Sequence, residues 1–105
     1  MIKIQQNITW SDILESNGNE FKIVYFGAKW CGPCKTLKPM VESIGEKNKE
    51  TITVYDVDID SCDTICNEQN ITSVPTVIVL KNNKKLKTIV GNNYQELINT
   101  IQTNL

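Results

Sequence analysis

The chain contains no histidine, and all eleven of its basic residues are lysines. The first absence removes the commonest general base and metal ligand, so proton transfer must fall to carboxylates, lysines, thiols, tyrosines or water. The second removes the guanidinium forks that usually grip phosphates and base edges. With a formal net charge of -1, there is no basic footprint for nucleic acid. Apolar runs are too short to cross a bilayer. The opening MIKIQQNITW lacks the apolar stretch of a secretory signal, and no GxGxxG dinucleotide fingerprint occurs. The expectation is a cytoplasmic protein that works without membrane or nucleic acid.

What is present fits one compact domain over residues 1–105, with 40% hydrophobic and 22% charged residues. Ile2-Lys3-Ile4 reads as a short strand. Thr9 to Glu15 reads as a helix start, with Thr9 as its N-cap and Asp12 at the capping-box position. KIVYFGA, Lys22 to Ala28, is a nearly continuous apolar run and predicts a strand buried on both faces. Leu37, Met40, Val41 and Ile44 fall at helical spacing, with Pro39 inside the helix and expected to kink it. Thr51 to Ile59 is β-branched and alternating, and Asp63 to Gln69 suits a short helix. Thr76 to Leu80 and Lys85 to Val90 read as a hairpin turning at Asn82-Asn83. Asn92 to Leu105 is amphipathic, with Leu97, Ile98, Ile101 and Leu105 on one side. The order β-α-β-α-β-α-β-β-α implies an α/β domain whose mixed central sheet, of about five strands, carries helices on both faces.

Four cysteines in a chain expected to be cytoplasmic favour catalysis or metal binding over a disulfide scaffold. Cys31 and Cys34 lie in KWCGPCK, between the buried strand and a helix start. There the free N–H groups and the positive end of the helix dipole favour thiolate over thiol at Cys31, relative to the free value of about 8.5. Lys29 and Lys35 add screened help. Cys34, one turn into the helix, is expected to be the more buried thiol. The pair could then run a two-step exchange in which Cys31 attacks and Cys34 resolves. A structural disulfide, or a zinc site drawing on Cys62 and Cys66, are the rival readings. The second pair is spaced C-x-x-x-C on a helix and has no histidine beside it, which is a poor zinc knuckle.

WCGPCK after an apolar strand, followed farther on by ITSVPT, resembles thioredoxin across essentially the whole chain. The resemblance implies the thioredoxin fold and a protein-disulfide reductase that carries electrons through a redox-active Cys31–Cys34 disulfide. It implies no bound cofactor; electrons would come from NADPH through a thioredoxin reductase. Partners would be that reductase and disulfide-containing proteins, met as a monomer. It places a cis-proline at Pro75, facing the cysteine pair, with Ser73-Val74 as backbone that pairs with an extended substrate. It implies a substrate patch of Trp30, Gly32, Pro33, Val74, Pro75 and Gly91, with Pro33 helping to set a reducing potential and Pro39 matching the family's helix-kinking proline.

One departure stands out. Thioredoxins usually carry a buried aspartate where this chain has Tyr25, and a phenol titrates near 10. Asp56, on the neighbouring strand, is the candidate substitute: Tyr25 O–H would donate to Asp56, and Asp56 would accept the Cys34 proton. The bland alternative leaves Asp56 as a solvated strand-end charge, with water as the base. Asp58 and Asp60 read as solvated charges or a helix cap. Cys62 and Cys66 read as small buried hydrophobes, with a second disulfide as the sharper alternative, although i and i+4 Cβ atoms on a helix sit too far apart for an unstrained bridge. Two rival functions remain at this level: a disulfide oxidant or isomerase, which Gly32-Pro33 disfavours, and a binding or structural subunit of the same fold.

Overall fold

A computed structural model describes residues 1–105. Nine elements follow in chain order: β1 (Ile2–Lys3), α1 (Trp10–Glu15), β2 (Phe21–Gly27), α2 (Gly32–Lys47), β3 (Ile52–Asp58), α3 (Asp63–Glu68), β4 (Thr76–Lys81), β5 (Lys84–Val90) and α4 (Tyr94–Thr103). The five strands form one sheet in the order β1-β3-β2-β4-β5. β1 and β2 run parallel to β3, while β4 is antiparallel to both β2 and β5. The sheet is therefore mixed, as the element order implied.

Side-chain alternation explains the two layers. Phe21, Ile23 and Tyr25 of β2 face one core with Leu37, Val41 and Ile44 of α2 and Leu97 and Ile101 of α4. Val24 and Phe26 face the other, with Ile13 of α1 and Ile65 of α3. Since successive strand residues point to opposite faces, a strand covered on both sides must be apolar throughout. All seven residues of β2 are buried. Each large apolar side chain sealed there contributes about 1.5–3 kcal/mol.

Local chemistry sets the ends. Thr9 and Asp12 form the expected capping box: Asp12 N–H donates to Thr9 Oγ1 at 3.1 Å and Thr9 N–H donates to Asp12 Oδ2 at 2.9 Å. Those bonds hold the Asp12 carboxyl below its usual range. Asn82 and Asn83, both with positive φ (50° and 65°), make the two-residue turn between β4 and β5. Pro39 lies inside α2, which nonetheless runs unbroken from Gly32 to Lys47.

Two features differ from the pattern read along the chain. Lys22, expected only as the opening of a strand, is buried at 3% exposure. Its ammonium donates to the carbonyls of Ile13 (2.9 Å), Leu14 (3.0 Å) and Ser16 (3.3 Å). It thus closes the open carbonyls at the end of α1. Leu105, expected on the apolar side of α4, is 83% exposed, because the helix ends at Thr103.

Candidate active site

β2, the central strand, ends at Gly27, and α2 begins at Gly32. Cys31 is the N-cap of α2, in extended conformation. An N-cap side chain faces the unpaired N–H groups of the first turn. Here the Cys34 N–H donates to Cys31 Sγ at 3.2 Å. Cys31 and Cys34 are joined by a disulfide with their Cα atoms 5.3 Å apart. In this oxidised form both cysteines are buried to nearly the same extent, with exposures of 4% for Cys31 and 3% for Cys34. The bridge ties both sulfurs against the same core face, where Val74 also packs.

The segment before β4 approaches the same core through Val74. The Val74–Pro75 peptide is cis. Gly91 N–H donates to the Pro75 carbonyl at 2.8 Å, which brings the end of β5 beside it. Gly91 has φ of +87°, a conformation that favours glycine, and a Cβ there would point into open space. Gly32, Pro33 and Trp30 are exposed, Val74 and Gly91 half-buried, and Pro75 buried.

Trp30 is 66% exposed yet not loose, since its indole Nε1 donates to Asp60 Oδ2 at 2.8 Å. Asp60 N–H in turn donates to Asp58 Oδ1 at 2.9 Å. Asp60 is therefore not the free charge or helix cap that the sequence suggested; it fixes the large exposed aromatic at the site's rim. Nothing local in the sequence signals this pairing, because the partners are thirty residues apart.

A pocket of about 360 Å³ opens on the far side of the disulfide and includes Tyr25, Cys34, Lys38 and Asp56 in its wall. The expected Tyr25–Asp56 hydrogen bond is not formed. The Tyr25 ring lies over Gly27, filling the space where a side chain at that position would stand. The two residues share a strand face, so the missing side chain of Gly27 makes room for the phenol. Burial, with the nearby Asp56 charge adding, pushes the Tyr25 phenol up to about 12. Asp56 instead pairs with Lys38 Nζ at 3.2 Å. Lys38 was missed in the sequence, although it lies one turn beyond Cys34, where i and i+4 side chains share a face.

Cys62 and Cys66 are both buried and not bonded to one another. Cys62 S–H donates to the Ile4 carbonyl at 3.5 Å. Burial pushes the Cys66 thiol up to about 11, with smaller contributions from Cys62, Asp63 and Asp58. The structure holds no cluster of His, Cys, Asp or Glu side chains suited to a metal ion.

A paired dithiol at a helix N-terminus, beside a cis-proline and an anchored aromatic, is the site of a thiol-disulfide oxidoreductase. The comparisons agree: the thioredoxin family model matches residues 1–103, and the chain belongs to the thioredoxin family. It is 35% identical over 95 residues to thioredoxin of Echinococcus granulosus, covering 89% of this chain and 88% of that protein. Against thioredoxin of Homo sapiens it is 33% identical over 102 residues, covering 96% of each. Among solved structures, Schistosoma mansoni thioredoxin superposes with a TM-score of 0.84 at 32% identity, over 99% of this chain and 94% of that one. The active-site cysteine pair of a thiol-disulfide oxidoreductase is present here.

Proposed function

We propose that this protein is a cytoplasmic, monomeric dithiol reductant of protein disulfides, recharged by NADPH through a thioredoxin reductase. The observation that carries the reading is Cys31 Sγ at the N-cap of α2, accepting the Cys34 N–H at 3.2 Å. A helix N-terminus stabilises negative charge on that sulfur, which makes it the attacking group. The Cys31 thiolate attacks one sulfur of a substrate disulfide. A Cys31–substrate bond forms, and the other substrate sulfur leaves as a thiolate. Cys34, deprotonated, then attacks Cys31 Sγ, the Cys31–Cys34 bond forms, and the second substrate thiolate departs. The substrate gains two electrons and the dithiol loses two.

Trp30, Gly32, Pro33, Val74, Pro75 and Gly91 form the surface that meets the partner. The open space in front of Gly91 leaves room for an extended segment beside Pro75. Titration of the pair against glutathione tests the direction of electron flow. A midpoint near about -270 mV is expected, whereas one above about -200 mV would instead make the protein an oxidant or isomerase. Catalysis of insulin reduction above the dithiothreitol background tests activity. No acceleration would leave only a binding or structural subunit.

A further inference from the structure

Resolution requires a proton to leave Cys34, and the position at which the family keeps a buried carboxylate carries Tyr25. The phenol makes no hydrogen bond to Asp56, and its proton is held more tightly than usual. The charges around Cys34 suggest a different solution. The pocket beside it is faced by Lys3 from β1, Lys29 from the turn after β2, and Lys35 and Lys38 from α2. Asp56 and Asp58 face it from β3, and Tyr25 from β2. Four lysines therefore share the lining with two aspartates, in a chain whose formal net charge is -1. Asp56 is paired with Lys38, while Lys3, Lys29 and Lys35 have no carboxylate partner.

Asp56 Oδ2 is engaged by Lys38 Nζ at 3.2 Å rather than by Cys34, which argues against Asp56 as the base. A neutral phenol at position 25 also removes the negative charge that a carboxylate would place beside the thiol. From this arrangement we propose that the lysine-lined pocket, rather than a general base, prepares Cys34: its ammonium groups hold the Cys34 thiolate, and Asp56 opposes them. The proposal rests on Cys34 being the resolving thiol. In the mixed disulfide the Cys34 proton passes to solvent. The thiolate attacks Cys31 Sγ, the Cys31–substrate bond breaks, and the departing thiolate takes up a proton from solvent. Lys38 is then an electrostatic positioning residue acting on Cys34, and Asp56 a brake whose strength the Lys38 pair limits.

The two readings of Asp56 give opposite signs, and this makes the test decisive. The chromogenic disulfide DTNB releases one equivalent of product as Cys31 attacks and a second as Cys34 resolves. The second phase is followed from pH 6 to 9 in the Cys62→Ala/Cys66→Ala chain, so that only the active pair reports. Asp56→Asn should speed the second phase about threefold at pH 7 and move its pH midpoint down by about half a unit. Lys38→Met should slow it by a similar factor and move the midpoint up, while Lys38→Arg keeps the parent profile. Molar salt should shrink both differences. A second phase slowed by Asp56→Asn would make Asp56 the base and overturn the proposal. Unchanged midpoints in both variants would overturn it as well. A parent chain with no second phase would instead remove Cys34 as resolving thiol, and the proposal with it.

Discussion

Two pairs of cysteines sit in this small domain, and the fold treats them in opposite ways. Cys31 Sγ accepts a backbone N–H at a helix start, and lysines line the pocket beside its partner Cys34. Cys62 S–H donates to a backbone carbonyl, and the Cys66 thiol is buried with Asp58 and Asp63 nearby. An N–H pointing at sulfur favours thiolate; a carbonyl accepting from S–H favours thiol. Burial and carboxylates push the same way as the carbonyl. Reactivity thus follows the direction of the surrounding dipoles and charges, not the spacing of the cysteines, and the second pair behaves as small apolar filling of the α3 face.

The sharpest way to break the comparison is to exchange the pairs' importance. Cys31→Ser should lower insulin reduction on the order of a thousandfold, to the dithiothreitol background, because the attacking sulfur is gone. Cys62→Ala with Cys66→Ala should leave the rate within about twofold. A comparable loss in the second variant would mean that the buried pair takes part. A smaller effect belongs to the groove that only the active pair faces. Gly91→Val forces a β-branched residue to φ of +87°, at a cost of about 1–2 kcal/mol. Thermal unfolding should read that loss, and KM for a protein substrate should rise as the new side chain enters the open space. The smallest effect is a slope. The Cys66 thiol titrates near about 11 in the fold and lower when unfolded, so between about pH 9 and 11 the folded state binds more protons. Its contribution is complete below that window and declines as pH rises through it. Cys66→Ala should therefore show a shallower fall in stability between pH 9 and 11 than the parent chain, measured by urea unfolding.

Those two regions also show what a sequence can and cannot disclose. β2 was legible because a strand covered on both faces must be apolar without interruption, and the α1 cap because Thr9 and Asp12 are close along the chain. CGPC after that strand marked the active pair for the same reason: strand, turn and helix start are local. The Trp30–Asp60 bond, the Lys38–Asp56 pair and the Lys22 ammonium on the end of α1 were not legible. Each joins groups from different elements, and a charged side chain reads as solvated until its partner is in place. The Tyr25 ring over Gly27 lies between these cases. The two residues are neighbours on one strand face, but their spacing does not say whether the ring turns towards the glycine or towards Asp56.

The contrast between the pairs can be read from one measurement: the rate of iodoacetamide alkylation at each cysteine of the reduced, folded chain, resolved by mass spectrometry from pH 6 to 12. Cys31 should alkylate first, at neutral pH, while Cys62 stays unmodified there and Cys66 reacts only as pH approaches about 11. Cys62 or Cys66 alkylating at pH 7 as fast as Cys31 would contradict the account, for it would show that the field around a thiol in this fold does not decide which pair reacts.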